Sequence, residues 1–249
     1  MVVREACPAC GSKRCKRNGP MHTGQQNHPC KACGRPLVLH ADKRVIGEAQ
    51  RTLVERLRCE QISLHGMCRT VGVSIRWLMQ GIVTCFATLP DHLHVLPIAA
   101  PQEVSIGRRE VEANEMWGFV AKKANKQWIW IAMDKPTRQM LAFHVGERRH
   151  ESGQQLWAKL PVVSRERATF YTDQDTVYTG IIPAAQPQAI TKHARKTHHI
   201  ERCNHTMRQR VSRLVRDTLA FSKKLANPIG AIKYFICSYN LSRAAALLV

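Results

Sequence analysis

Met116-Trp-Gly-Phe-Val-Ala121, Trp128-Ile-Trp-Ile-Ala-Met133 and Met140-Leu-Ala-Phe-His-Val145 are three short runs rich in aromatic and β-branched residues. Polar stretches, Lys122 to Gln127 and Asp134 to Gln139, separate them, so the sequence predicts three strands joined by short turns in an antiparallel meander. A helical stretch from Glu151 to Leu160 follows, and then Ala168-Thr-Phe-Tyr-Thr172, a fourth strand that delivers Asp173 at its end. A long helix is expected from about His199 to Arg216, where Ile200, Cys203, Met207, Val211 and Leu214 mark a buried face at three- and four-residue steps. Glu201, His205, Arg208 and Ser212 fall on an adjacent, wetter face. Periodicity alone does not fix the topology of these elements.

Upstream, Pro90, Pro97 and Pro101 punctuate a stretch with neither helical nor strand periodicity, which reads as a linker. Before it, Val45, Ala49, Leu53 and Leu57 recur every four residues, the stripe of an amphipathic helix. Ser63 to Val71 then leads through Gly72-Val73 to Ser74, an N-cap candidate for a further helix from Ile75 to Val83. Two short helices around a glycine-containing turn have the form of a helix-turn-helix, whose second helix presents its N-terminal residues to the major groove. Ser74, Ile75, Arg76 and Gln80 would then lie on the DNA side, with Trp77, Leu78 and Ile82 in the core. A plain helical hairpin used for packing has the same punctuation.

Five of the ten cysteines fall in the first 33 residues. Cys7-Pro-Ala-Cys10 and Cys30-Lys-Ala-Cys33 are two C-x₂-C pairs with 19 residues between them, the spacing of a zinc ribbon. Four thiolates make a closed structural Zn²⁺ site with no position left for chemistry. A redox dithiol or unligated buried cysteines are the alternatives, although redox motifs normally carry one such pair. Lys13, Arg14, Lys16, Arg17, Lys31 and Arg35 surround the pairs and suit phosphate contacts.

The 249 residues carry 38 Lys and Arg against 18 Asp and Glu, a formal charge of +20, which makes a polyanion the natural partner and excludes an acidic-surface protein. Between Lys192 and Lys224 ten Lys or Arg residues face only Glu201 and Asp217, and Lys192, Arg195, Lys196, Arg202, Arg208 and Arg210 there are candidate phosphate contacts. No apolar run reaches the length of a bilayer span, and the first residues lack a secretory signal, so a cytoplasmic, nucleoid-associated protein with no membrane partner is expected.

Glu112-Ala-Asn-Glu-Met-Trp-Gly-Phe-Val120, Asp134-Lys-Pro-Thr-Arg138, Gly146-Glu-Arg148, Tyr171-Thr-Asp173, His199-Ile-Glu-Arg-Cys-Asn204 through Arg208-Gln-Arg210, and Phe221-Ser-Lys223 together closely resemble the insertion-sequence-one family of bacterial DNA transposases. The resemblance takes in the cysteine pairs and the helix-turn-helix as well. It implies an α+β multidomain chain: a zinc ribbon at 1–43, a helix-turn-helix domain at 44–89, a linker at 90–108 and an RNase H-like domain with a mixed sheet at 109–249. It also implies a triad of two aspartates and a glutamate that binds Mg²⁺ or Mn²⁺. By position the glutamate is Glu201 and the second aspartate is Asp173, while Asn114 occupies the first aspartate position. Asn204, one helical turn after Glu201, would flank the metals.

Two-metal phosphoryl transfer needs carboxylates to hold both ions, and asparagine is isosteric with aspartate but neutral. The expectation is therefore a transposase that binds terminal inverted repeats and target DNA as a homodimer or larger synaptic assembly, with strand cleavage and transfer impaired at Asn114. Glu112, Glu115 and Asp134 are nearby carboxylates that could compensate, Glu115 being expected on the opposite sheet face from Asn114. The alternatives are a non-catalytic DNA-binding repressor of transposition and an RNase H-type ribonuclease.

Overall fold

The computed structural model describes residues 2–3, 5–21, 24–41, 46–96, 109–120, 122–172, 178, 180–183, 188–189, 197–211, 214 and 225–247. The chain divides into two compact units, Met1–Arg51 and Thr52–Val249. In the first, β1 (Val2–Val3) pairs antiparallel with β2 (His40–Ala41), and isolated bridges join Cys15 to Cys30 and Pro20 to Gln26. Its apolar centre is small, with Cys7, Cys30 and Leu37 buried against Cys15 and Leu39.

The unit junction falls inside helix α1 (Glu48–Leu57). Helix α2 (Leu64–Val71) is capped by Ser63, whose hydroxyl accepts from the Gly66 N–H at 3.0 Å. It stops at Gly72, whose φ of 73° is the left-handed conformation glycine adopts without a Cβ penalty. Helix α3 (Ile75–Thr88) has the N-cap expected at Ser74, which accepts from the Trp77 N–H at 3.2 Å. The chain bends by 113° between α2 and α3. Val54, Met67, Val71, Val73, Leu78 and Ile82 are buried, while Ser74, Ile75, Arg76, Met79 and Gln80 are exposed.

The rest of the second unit is a sheet between helices. Its elements are β3 (Arg109–Val120), β4 (Lys122–Asp134), β5 (Met140–Gly146), α4 (His150–Lys159), α5 (Val162–Arg167), β6 (Ala168–Thr172), β7 (Gln188–Ala189), α6 (His198–Arg210) and α7 (Ala226–Leu247). The strand order is β5-β4-β3-β6-β7. β4 runs antiparallel to β3 and β5, whereas β3, β6 and β7 run parallel. The side-chain period of two sends Met116, Ile129, Ile131 and Met133 to one core with Ile200, Cys203, Met207, Ile232 and Phe235 of α6 and α7. Val111, Ala113, Trp130, Ala132 and Phe170 face the other core with Leu156 and Leu160, at the end of α4 and just beyond it. Each large apolar side chain removed from water in this way contributes about 1.5–3 kcal/mol.

Three boundaries and two further helices depart from the sequence reading. β3 begins at Arg109 and not at Met116, because Glu112, Asn114 and Glu115 interrupt the apolar pattern although all three are buried. Lys122 to Gln127 belong to β4, because the hairpin ladder continues beyond the apolar core, with the Lys126 ammonium over the Trp117 ring. Helix α6 ends at Arg210 with Val211 as its C-cap, short of Arg216. Helix α5 and the 22-residue α7 were not anticipated.

α7 shows why. Its apolar residues are not confined to one stripe, since it packs on several partners at once. Asn240, fully buried, donates to the Leu93 and Met140 carbonyls at 2.9 Å each and accepts from the Met140 N–H at 2.8 Å. It thereby ties α7 to β5 and to Leu93, which is buried within the proline-punctuated stretch.

Candidate functional site

The four cysteines of the paired motifs converge. Their sulfurs all lie within 4.8 Å of one another, with Cys7 Sγ to Cys33 Sγ at 3.7 Å and Cys10 Sγ to Cys30 Sγ at 3.5 Å. A tetrahedral ion with bonds of about 2.3 Å needs S···S edges of about 3.8 Å, so the set could hold a metal. Both pairs turn the same way. Gly11 and Gly34, at φ 70° and 72°, donate their N–H groups back to the Cys7 and Cys30 carbonyls at 2.8 and 2.9 Å. A glycine after each C-x₂-C was a readable signal of this turn. The Ala9 amide lowers the Cys7 thiol below its ordinary value, and the Cys33 and Ala32 amides bring Cys30 down to about 6. Cys15 is outside the set, and His28 Nδ1 lies 3.2 Å from the Gln26 carbonyl. Lys13, Arg14, Lys16 and Arg17 are exposed.

In the second unit, Glu112, Asn114 and Met116 share one face of β3, the face on which α6 packs. Asn114 is 9% exposed, and its Oδ1 accepts from the Glu115 backbone N–H at 2.7 Å. The parallel register of β3 and β6 runs to Ala113↔Thr172. Asp173, the next residue in sequence, lies outside the described residues, as do Lys192, Arg195 and Lys196. Glu201 is exposed in the first turn of α6, where its Oε1 accepts from the Thr197 hydroxyl at 3.0 Å.

The three neighbouring carboxylates are sorted by their partners. Glu115 is on the opposite face, as expected, where Arg148 donates to its Oε1 at 2.9 and 3.1 Å and the Tyr178 hydroxyl donates to its Oε2 at 3.1 Å. Asp134 accepts from the Thr137 N–H and hydroxyl at 3.0 and 2.6 Å, which closes the β4–β5 turn. Glu112 alone of the three joins Asn114's face. It is fully buried, its Oε2 accepts from the Ile200 N–H at 2.8 Å, and burial pushes its carboxyl above the usual value. The helix N-terminus supplies the partial positive charge that compensates a carboxylate there. Beside it stand His198 and His199, ring centroids 3.7 Å apart. Burial, then the charge of His198, holds the His199 imidazole below its ordinary value.

Arg202 and Arg210 are exposed on α6, whereas Asn204 is buried and Arg208 donates to the Trp117 carbonyl at 3.0 Å. Among the described residues no single helix is long and apolar enough to cross a membrane.

Residues 110–237 match the model of the IS1 transposase family. The chain is 33% identical over 117 residues to the insertion element iso-IS1n protein InsB of Shigella dysenteriae, covering 46% of this chain and 83% of that protein. It is 32% identical over 114 residues to the insertion element IS1 protein InsB of Shigella flexneri, with coverages of 46% and 83%. Against the insertion element IS1 2 protein InsB of Escherichia coli K12 the identity is 29% over 125 residues, with coverages of 50% and 72%. A family match over half the chain, on the strands and helix that carry Asn114 and Glu201, places this protein in the IS1 transposase family.

Proposed function

We propose that the chain recognises the terminal inverted repeats of an insertion sequence through its first 89 residues and carries an RNase H-like strand-transfer domain impaired at Asn114. The observation that carries this reading is the sheet order β5-β4-β3-β6-β7. Three antiparallel strands followed by two parallel ones, with α6 against β3, match the order expected of an RNase H-like domain. That order supports a triad position at Asn114, on the face shared with α6, alongside Glu201 and Asp173.

At the amino end, the sulfur cluster fits a structural Zn²⁺ ion. Arg14, Arg17 and their basic neighbours would contact phosphates, and the ion would supply the stability that so small a core lacks. The 113° bend and the exposed Arg76 and Gln80 support a recognition helix at α3. Arg202, Arg208 and Arg210, with Lys192, Arg195 and Lys196, form the proposed DNA-facing set of the catalytic domain, Asn204 being buried behind them, and two or more copies would pair the ends.

Asn114 does not fit the role of a bridging metal ligand. Its one amide oxygen faces a backbone N–H, and its remaining atoms are an NH₂ group that repels cations. Two Mg²⁺ or Mn²⁺ ions would supply nucleophile activation and leaving-group stabilisation in an intact triad. The same observation favours a second reading, a DNA-binding repressor of transposition.

The test is divalent-metal-dependent release of a 3′-hydroxyl at the element end, measured for this chain, for Asn114→Asp, and for Asn114→Asp combined with Asp173→Ala or Glu201→Ala. The reading expects Asn114→Asp to cut on the order of a hundred- to a thousand-fold faster, and the combined variants to lose that gain. Measurable and equal cutting by the chain and by Asn114→Asp would overturn the triad, and no cutting by either would favour the repressor.

A further inference from the structure

We infer that Glu112, His198 and His199 form a binding site for a divalent transition-metal ion, with ligands other than the four cysteines and the residues assigned to the triad. One ligand atom from each of the three side chains lies within 4.8 Å of the others, a separation one ion spans. The carboxylate has a donor to spare. Glu112 is fully buried, its Oε2 is engaged by the Ile200 N–H, and its Oε1 has no hydrogen-bond partner among the described residues. A buried carboxylate oxygen without a partner costs free energy, and a cation beside it removes that cost.

The fold explains how the three meet. β3 places Glu112 in the sheet face that receives the N-terminus of α6, and the first two residues of α6 are the histidines. A capping role alone would use one oxygen for the helix N–H groups and leave the other unexplained. It would also not require imidazoles at both following positions.

Donor chemistry selects the ion class. Two imidazoles and one carboxylate suit Mn²⁺, Fe²⁺, Co²⁺ or Zn²⁺, whereas Mg²⁺ takes oxygen ligands. Three protein ligands leave coordination positions open. His198 is exposed and His199 half-buried, so those positions face solvent on the histidine side and accept water or a phosphodiester oxygen. The proposal does not depend on the triad reading, since it names neither Asp173 nor Glu201 as a ligand, and Glu201 is outside the set among the described residues.

The test uses the full chain with zinc bound and Glu201→Ala introduced, so that a loss of the triad's metal affinity leaves the new site intact. Mn²⁺ is titrated and followed by electron paramagnetic resonance. The expected result is one bound Mn²⁺ with pulsed-resonance modulation from coordinated imidazole nitrogen. His198→Gln with His199→Gln removes the nitrogen modulation and weakens binding at least tenfold. Glu112→Gln, which keeps an oxygen for the Ile200 N–H, weakens binding similarly. Should Glu112→Gln disturb α6, the two histidine changes carry the test alone. Binding without nitrogen modulation, or affinity unchanged by the histidine pair, would overturn the site.

Discussion

Asn114 turns its side-chain oxygen onto the backbone N–H of Glu115 at 2.7 Å, while Glu115 itself points to the other face of the sheet and is held there by Arg148 and Tyr178. A carboxylate at position 114 keeps that N–H as a donor but adds a charge two residues from buried Glu112 on the same face. Asn114→Asp should therefore lower stability by about 1–3 kcal/mol in the presence of a chelator, the range for a poorly compensated buried polar group. Millimolar Mg²⁺ or Mn²⁺ should restore most of it by binding the native state. Urea unfolding with and without metal checks this, and equal stability in both conditions would count against metal binding near position 114.

Cys30→Ser removes one of four sulfurs and the thiolate favoured by the Cys33 and Ala32 amides. Zinc content of the first unit should fall from one ion to near none at sub-micromolar free zinc, with loss of its fold, because so little apolar surface remains to hold it. Native mass spectrometry and near-ultraviolet dichroism read both effects. A variant that retains a full equivalent of zinc would remove Cys30 from the ligand set.

DNA affinity should fall steeply with salt, by a log–log slope of about −0.9 per phosphate contact. Arg14→Gln with Arg17→Gln should reduce that slope by about 1–2 without changing sequence preference. Arg76→Ala should instead cost about 1–3 kcal/mol of discrimination between the terminal repeat and unrelated DNA. Fluorescence anisotropy across salt separates the two classes. A uniform loss in both variants would place base reading elsewhere than α3.

Gly230 lies where α7 crosses α3, and a Cβ built there would sit 2.3 Å from the Phe86 ring. Gly230→Ala should cost about 1–3 kcal/mol through overpacking, outweighing the helix-propensity gain of alanine. Combining it with Phe86→Leu should recover part of the loss. Thermal melts that show Gly230→Ala at or above the parent would mean that the two helices can separate freely.

Burial, and secondarily the Lys159 charge, holds the His144 imidazole below its ordinary value of 6.5. The unfolded chain thus binds the proton more readily than the folded one just below pH 6.5. Stability from this group is complete above 6.5 and is lost as pH falls toward the folded value. His144→Gln should flatten the stability–pH curve just below pH 6.5 by less than one proton, judged from denaturant midpoints. An unchanged slope would remove His144 from the acid response.

The sequence by itself determined the local features. Two C-x₂-C pairs predicted one cluster because each pair is a tight turn, and Ser74 read as an N-cap because its hydroxyl meets the third amide of its own helix. Contacts remote in sequence were decided only by the tertiary structure. Glu112 looked like one carboxylate among three until the parallel pairing of β3 with β6 and the packing of α6 set it against Ile200, 88 residues away. Helix α7 went unread because Asn240, Pro228 and Gly230 are buried in it alongside Ile232 and Phe235, leaving no single apolar stripe. Burial of Glu112 and Asn240 has no local signature: each is stable only where a distant backbone N–H or carbonyl reaches it, and chain packing alone supplies that partner.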